Sequence, residues 1–90
     1  MAISVSIPTH MLSLTGGLST VSAAGSSVIE VIDDLDCRYP GIRDRMITRG
    51  TIHRFVNVYV NDEDIRFGNG LRTDVREGDC LTILGAVAGG

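Results

Sequence analysis

The residues with the clearest chemical meaning are the last two, Gly89 and Gly90, which close the segment GAVAGG at residues 85–90. A terminal carboxylate is ionised at neutral pH and is a poor electrophile, so it reacts only after conversion to an acyl derivative with a good leaving group. That conversion requires entry into another protein's active site. Glycines remove the side chains that would obstruct a narrow channel and permit backbone angles closed to other residues. The pattern predicts that Gly90 is a chemical handle, and the alternative is an inert tail.

The remaining tail residues, Gly85, Ala86, Val87 and Ala88, are small and mostly apolar. Such residues can line a groove in a partner without a large cost of desolvating polar groups. Six extended residues at about 3.3 Å each reach roughly 20 Å. We therefore expect the tail to enter a deep partner channel while the folded domain stays outside.

No side-chain constellation in the sequence is typical of catalysis or metal binding. His10 and His53 have no ligand-spaced partner and are expected to be a loop residue and a strand-edge residue. The stretch AAGSS lacks the spacing of a nucleophile elbow, and Gly-Asn-Gly at 68–70 does not extend to a phosphate-binding motif. The run NDED at 61–64 lacks the glycine and final glutamate of an EF-hand loop and is typical of a solvated turn. We expect no catalytic residue, no metal site and no enzymatic activity.

Composition excludes several other classes of protein. Ninety residues make one domain, and the 8 basic and 11 acidic residues give a net charge of −3. No basic stripe indicates a nucleic-acid partner, and no apolar run approaches the ~18 residues of a membrane span. No signal peptide is evident, so a cytoplasmic location is expected. Cys37 and Cys80 lack metal or redox spacing and are expected to be small buried residues kept reduced.

The elements that would position the tail begin with a predicted hairpin and a helix. Alternating apolar residues at 3–7 predict a strand, Gly16-Gly17 supplies a turn, and residues 18–23 predict a second strand. Ser27 and Glu30 have the spacing of a capping box. The helix should end near residues 38–39, ahead of Pro40. Its apolar side comprises Val28, Ile29, Ile32 and Leu35.

The second half predicts three more strands, at residues 52–60, 65–67 and 80–84. Residues 41–51 look irregular, with Ile42 and Met46 as candidate core residues.

The resulting order, β-β-α-β-β-β, places a single main helix over a mixed sheet, which is a two-layer α+β arrangement. The sequence thus predicts a domain at 1–84 and a tail at 85–90 that leaves directly from the last strand.

This element order and the terminal Gly-Gly resemble the ThiS/MoaD family of ubiquitin-like β-grasp sulfur carriers. The stretches that carry the resemblance are VSIPT at 5–9, TGG at 15–17, HRFVNVYVNDEDIRF at 53–67, GL at 70–71 and GDCLTILGAVAGG at 78–90. The stretch at 53–67 is most similar to the subgroup that serves thiocarboxylate-dependent cysteine biosynthesis. Carriers of this family often have proline where Gly85 stands, a departure that concerns the angle at which the tail leaves the domain.

The resemblance implies that Gly90 is adenylated by an E1-like, ATP-using enzyme and converted to a thiocarboxylate. The sulfur would then attack an activated serine derivative held on a PLP-dependent cysteine synthase, and a JAMM-type metalloprotease would release cysteine. ATP, PLP and the metal would belong to these partners, and this chain would bind none of them stably. Docking is expected through the sheet face near the tail, with Phe67, Leu71 and Leu84 as candidates and core packing as the alternative for each.

Other functions remain open at the level of the sequence. The chain could be a protein modifier conjugated through Gly90, although the absence of lysine prevents lysine-linked chains on itself. It could also be the small subunit of a molybdopterin synthase, or a structural binding module with an inert tail. The sequence does not identify the final sulfur acceptor.

Overall fold

The computed structural model describes residues 2–85, and the fold is built around a mixed sheet. In this part of the chain the strands are β1 (Ile3–Ser6), β2 (Thr20–Ala23), β3 (Ile47–Thr48), β4 (Thr51–Ile52), β5 (Val56–Val60), β6 (Glu63–Asp64) and β7 (Cys80–Gly85). Five of them form one sheet in the order β2-β1-β7-β5-β6, and β3 pairs with β4 separately. The first and last strands therefore lie side by side within the main sheet.

The register of β7 fixes where the chain leaves the sheet. Val5 of β1 lies opposite Leu81 in a parallel pair, and Leu84 lies opposite Asn57 of β5 in an antiparallel pair. Along β7, buried Leu81 and Ile83 alternate with the partly or well exposed residues between them. This period of two gives the sheet one buried face and one outer face.

Helix α1 (Val28–Arg38) covers the buried face and begins with the predicted cap. The Ser27 hydroxyl accepts a hydrogen bond from the Glu30 backbone N–H at 3.4 Å. The Glu30 carboxylate in turn accepts from the backbone N–H and the hydroxyl of Ser26, each at 3.0 Å, one residue earlier than in a standard capping box. These two bonds, the backbone one first, lower the pKa of Glu30. The buried side chains of α1 are Val28, Val31, Ile32 and Leu35, so Val31 takes the place predicted for Ile29.

The region 41–51, predicted to be irregular, contains helix α2 (Ile42–Met46) followed by the β3–β4 pair. Ile42 and Met46 are fully buried, as predicted. The Asp36 carboxylate of α1 accepts from the backbone N–H groups of Gly41 and Arg43, each at 3.1 Å, and so satisfies donors at the start of α2. Gly41 has φ +105°, a conformation that favours glycine at this bend.

Two strand predictions are wrong, one in extent and one in type, and a local side-chain hydrogen bond lies at each place. The predicted strand at 52–60 is interrupted before Val56, where the His53 Nδ1 accepts from the Phe55 N–H at 3.1 Å. The predicted strand at 65–67 is a 3₁₀ helix, Ile65–Phe67, whose first turn is capped by the Asp64 carboxylate.

Two further segments of 3₁₀ helix were not predicted. One, Thr9–Thr15, fills the connection between β1 and β2, and β2 begins at Thr20, two residues later than expected. The other, Gly70–Arg72, lies in the segment interpreted as a loop.

The buried face of the sheet, α1 and α2 share one hydrophobic core. Cys37 and Cys80 are both exposed free thiols, so the prediction that they are buried is wrong. Cys37 lies on the solvent side of α1, and Cys80 lies on the outer face of the sheet at the start of β7. None of the helices within residues 2–85 is long and apolar enough to cross a membrane.

Candidate functional site

The candidate site is the root of the tail, where β7 ends at Gly85. Gly85 pairs with Val56 in the last rung of the β5–β7 ladder. On the other side of β7, the β1 ladder has already ended at the Ser6–Thr82 pair. The predicted handle Gly90, with Ala86, Val87, Ala88 and Gly89, lies outside the described residues. What the structure describes is the surface from which these residues start.

His10 lies against the side-chain position of Gly85 at the tail root. The chain turns away from the sheet at Ile7 and Pro8 into the 3₁₀ helix Thr9–Thr15, and its second residue is His10. A Cβ added at Gly85 would lie 2.6 Å from the His10 Cε1 and 2.9 Å from its Nδ1. The imidazole therefore lies directly against the backbone of Gly85. Sequence reasoning missed this contact, because His10 was interpreted as a loop residue without a role.

An open groove lies at the tail root, and its lining includes Pro8, His10, Phe55, Leu84 and Gly85. Phe55 is 38% exposed and Leu84 46% exposed, so both present apolar surface to solvent. The guanidinium carbon of Arg54 lies 4.8 Å from the centroid of the Phe55 ring, within the range of a cation–π contact. The tail root is thus bordered by apolar side chains, and Arg54 packs on one of them, Phe55.

The three docking candidates do not form one surface. Leu84 lies beside Gly85 in the groove at the tail root. Phe67, 92% exposed, lies next to Tyr59 and the acidic turn at the β6 edge of the sheet. Leu71 is half-buried, packs against the core and lines a different groove with Ile52. Among the three, the structure therefore places only Leu84 at the tail.

The described residues offer little that could hold a cofactor or metal. Within residues 2–85, no three His, Cys, Asp or Glu side chains are arranged to bind a metal ion. In the acidic turn, the Asp64 carboxylate accepts from the Arg66 backbone N–H at 2.8 Å. One carboxylate of this turn therefore already accepts a hydrogen bond from the neighbouring backbone.

A mixed sheet with its first and last strands parallel, crossed by one main helix, defines a ubiquitin-like β-grasp protein. Residues 5–90 match the model of the ThiS family, and the chain belongs to that family.

Three relatives show how far the similarity extends. The chain is 52% identical over 93 residues to the sulfur carrier protein CysO of Mycobacterium tuberculosis, with 100% of both chains covered. It superimposes with a TM-score of 0.95 on a chain of the crystal structure of the Amycolatopsis orientalis BexX/CysO complex, at 54% identity, covering 99% of this chain and 100% of that one. Identity to the small archaeal modifier protein 3 of Haloferax volcanii is 31% over 65 residues, covering 72% of this chain and 71% of the relative. The chain is therefore a full-length homologue of a sulfur carrier protein, which confirms the resemblance and the fold predicted from the sequence.

Proposed function

We propose that this chain is a sulfur carrier whose Gly90 carboxylate is adenylated and converted to a thiocarboxylate that donates sulfur in cysteine biosynthesis. The observation that carries the proposal is the 52% identity to CysO across the whole of both chains. The geometry of the tail root supports it, because residues 86–90 follow an interior strand that is paired with β1 as far as Thr82 and with β5 as far as Gly85. A protein with this role needs no catalytic side chain in its own domain.

The chemistry asks two things of this chain: a reachable terminal carbonyl and a fixed starting point for the tail. In the first step a carboxylate oxygen attacks the α-phosphorus of ATP and pyrophosphate leaves. In the second, hydrosulfide attacks the acyl carbon, the bond from that carbon to the AMP oxygen breaks, AMP leaves, and a thiocarboxylate remains. A thiocarboxylate joined to a protein can be positioned by protein–protein contacts, which free sulfide cannot.

The partners belong to the same proposal. We expect an E1-like adenylating enzyme to supply ATP chemistry, a PLP-dependent cysteine synthase to accept the sulfur, and a JAMM-type metalloprotease to release the product. The BexX/CysO complex supports the expectation that a carrier of this kind assembles with a separate protein. On this proposal the chain is a co-substrate of those enzymes and is not itself an enzyme.

Intact mass spectrometry tests the proposal directly. The chain is incubated with the cognate E1-like enzyme, ATP and a sulfur source, and its mass is expected to rise by the difference between sulfur and oxygen. A variant with one residue appended after Gly90 is the matched control, because it keeps residues 1–90 and buries the handle in a peptide bond. No mass shift with an enzyme proven active on another carrier would refute the proposal.

A second measurement distinguishes the carrier from a protein modifier. Cell lysates are probed for covalent adducts of the chain, with the Gly90-blocked variant as control. A ladder of adducts that depends on a free Gly90, without thiocarboxylate formation, would replace our proposal with conjugation.

A further inference from the structure

The contact between His10 and Gly85 is the most specific feature of the tail root. Buried Leu81 and Ile83 show which face of β7 points into the domain, and the side-chain direction at position 85 follows the same alternation. A Cβ there would meet the imidazole at 2.6 Å, well inside van der Waals contact. No other residue type than glycine therefore fits at position 85 while His10 keeps its place.

The end of β7 at Gly85 has one strand neighbour, whereas the middle of the strand has two. Beyond the Ser6–Thr82 pair, β7 continues toward Gly85 without a β1 neighbour. Only β5, through the Val56–Gly85 pair, still holds that end of the strand. A strand with one free side can bend away from the sheet, and glycine adds conformational freedom at the same residue. The His10 ring lies against the side-chain position of Gly85, at this end of the strand.

We propose that His10 is a positioning residue for the tail: its imidazole, seated against Gly85, fixes the direction in which the chain leaves β7. His10 and Gly85 then form a matched pair, because the ring occupies the space of a Cβ and the missing Cβ admits the ring. The effect that this inference predicts on the kinetics of activation rests on the proposed function. The structural part of the inference, the seating of the ring on Gly85, is independent of that function.

The structural part is tested by nuclear magnetic resonance on the free carrier. A strong nuclear Overhauser effect is expected between the His10 Hε1 and the Gly85 Hα proton that takes the place of a side chain, since a Cβ built in that direction would lie 2.6 Å from the His10 Cε1. Absence of this effect while the Gly85 resonances are assigned would overturn the proposal, whatever the outcome of any activity assay.

The kinetic part is tested by a double-mutant cycle on thiocarboxylate formation with the activating enzyme. Gly85→Ala must displace the imidazole and is expected to raise the KM for the carrier about tenfold with little change in kcat. His10→Ala is expected to raise the KM about threefold to tenfold. Adding Gly85→Ala to His10→Ala should change the KM by less than about twofold, because the side chain that alanine displaces is already gone.

Ser13→Ala is the matched control, because Ser13 is an exposed residue of the same 3₁₀ helix. It should leave the KM, kcat and resonances at the tail root unchanged. Purely additive effects of the His10 and Gly85 substitutions would overturn the proposal, as would a loss of unfolding free energy in His10→Ala without any change in KM. If the unmodified chain itself forms no thiocarboxylate, the proposed function fails while the resonance test still decides the His10 contact.

Discussion

Alanine substitutions at Phe67, Leu71 and Leu84 separate docking from packing, because the three side chains differ in burial. Phe67 is 92% exposed and Leu84 is 46% exposed, whereas Leu71 is half-buried against the core. Burying a side chain of this size fully contributes about 1.5–3 kcal/mol to stability. The cost of each truncation in the free domain should therefore follow the fraction of the side chain that is already out of water.

Scaled by exposure, Phe67→Ala should lower the free energy of unfolding by only about 0.2 kcal/mol. Leu84→Ala should cost about 1 kcal/mol, and Leu71→Ala about 1–2 kcal/mol because it also leaves a small void beside the core. The same three substitutions should rank differently by their effect on the activation reaction. Leu84→Ala should raise the KM for the carrier most, since Leu84 directly precedes Gly85 at the tail root.

Urea unfolding followed by far-ultraviolet circular dichroism gives the first set of values, and steady-state thiocarboxylate formation gives the second. Leu18→Ala is the matched control, because Leu18 is 52% exposed and lies in the turn between the first two strands. A loss of more than about 1 kcal/mol in Phe67→Ala would contradict the reasoning, since so exposed a ring has too few contacts to lose. An unchanged KM in Leu84→Ala would show that the partner does not touch the tail root.

Three further predictions concern the domain. The pKa of Asp34 is lowered, mainly by the hydrogen bond that its carboxylate accepts from the Ala24 backbone N–H at 2.9 Å. Because the pKa is lower in the folded state, the contribution of Asp34 to stability is present at neutral pH and is lost as the pH falls through the lowered pKa. Asp34→Asn should therefore flatten the acidic side of the curve of unfolding free energy against pH. Met46→Ala, at a fully buried position of α2, should cost about 2–5 kcal/mol in urea unfolding, and a cost below about 1 kcal/mol would contradict that burial. Both exposed thiols, Cys37 and Cys80, should react with Ellman's reagent in the native protein, and a thiol that reacts only after unfolding would contradict its placement.

The parts of the fold that the sequence predicts well are those specified by local patterns. Helix α1 carries its cap at Ser27 and its apolar residues at helical spacing, all within about a dozen residues. The first and last strands alternate buried and exposed residues as their sequences do. Each of these signals can be read without knowing what the element packs against.

The elements that sequence analysis missed depend on partners elsewhere in the chain. Helix α2 has only five residues, too few for a visible period, and the carboxylate near its start comes from Asp36 of α1. The short helix at Ile65–Phe67 replaces a strand because the Asp64 side chain bonds its first turn. Such bonds favour a turn over a ladder, and composition alone does not distinguish the two.

In the candidate site, too, some features are specified by the local sequence and others depend on residues that are distant in the chain. The terminal glycines are a local signal that predicts a chemical handle at Gly90, and they contribute to the resemblance to the sulfur carriers together with the element order. The contact of His10 with Gly85 joins residues near the two ends of the chain, brought together by the parallel pairing of β1 with β7. The phase of a strand likewise indicates that Leu84 faces outward, but not that Phe67 and Leu71 line other grooves.

The outer face of the sheet further restricts where a partner can bind through apolar contacts. Its β1 and β2 strands present serine and threonine, namely Ser4, Ser6, Thr20 and Ser22. Apolar surface is exposed toward the end of β7, at Leu84 and the neighbouring Phe55, and separately at Phe67 on the β6 edge. On the proposed function, a partner that receives the chain beyond Gly85 is expected to contact this corner. The apolar burial in such a complex and the positioning of the chain would then involve the same few residues. For that reason a change at the tail root should alter the KM for activation before it alters the stability of the domain.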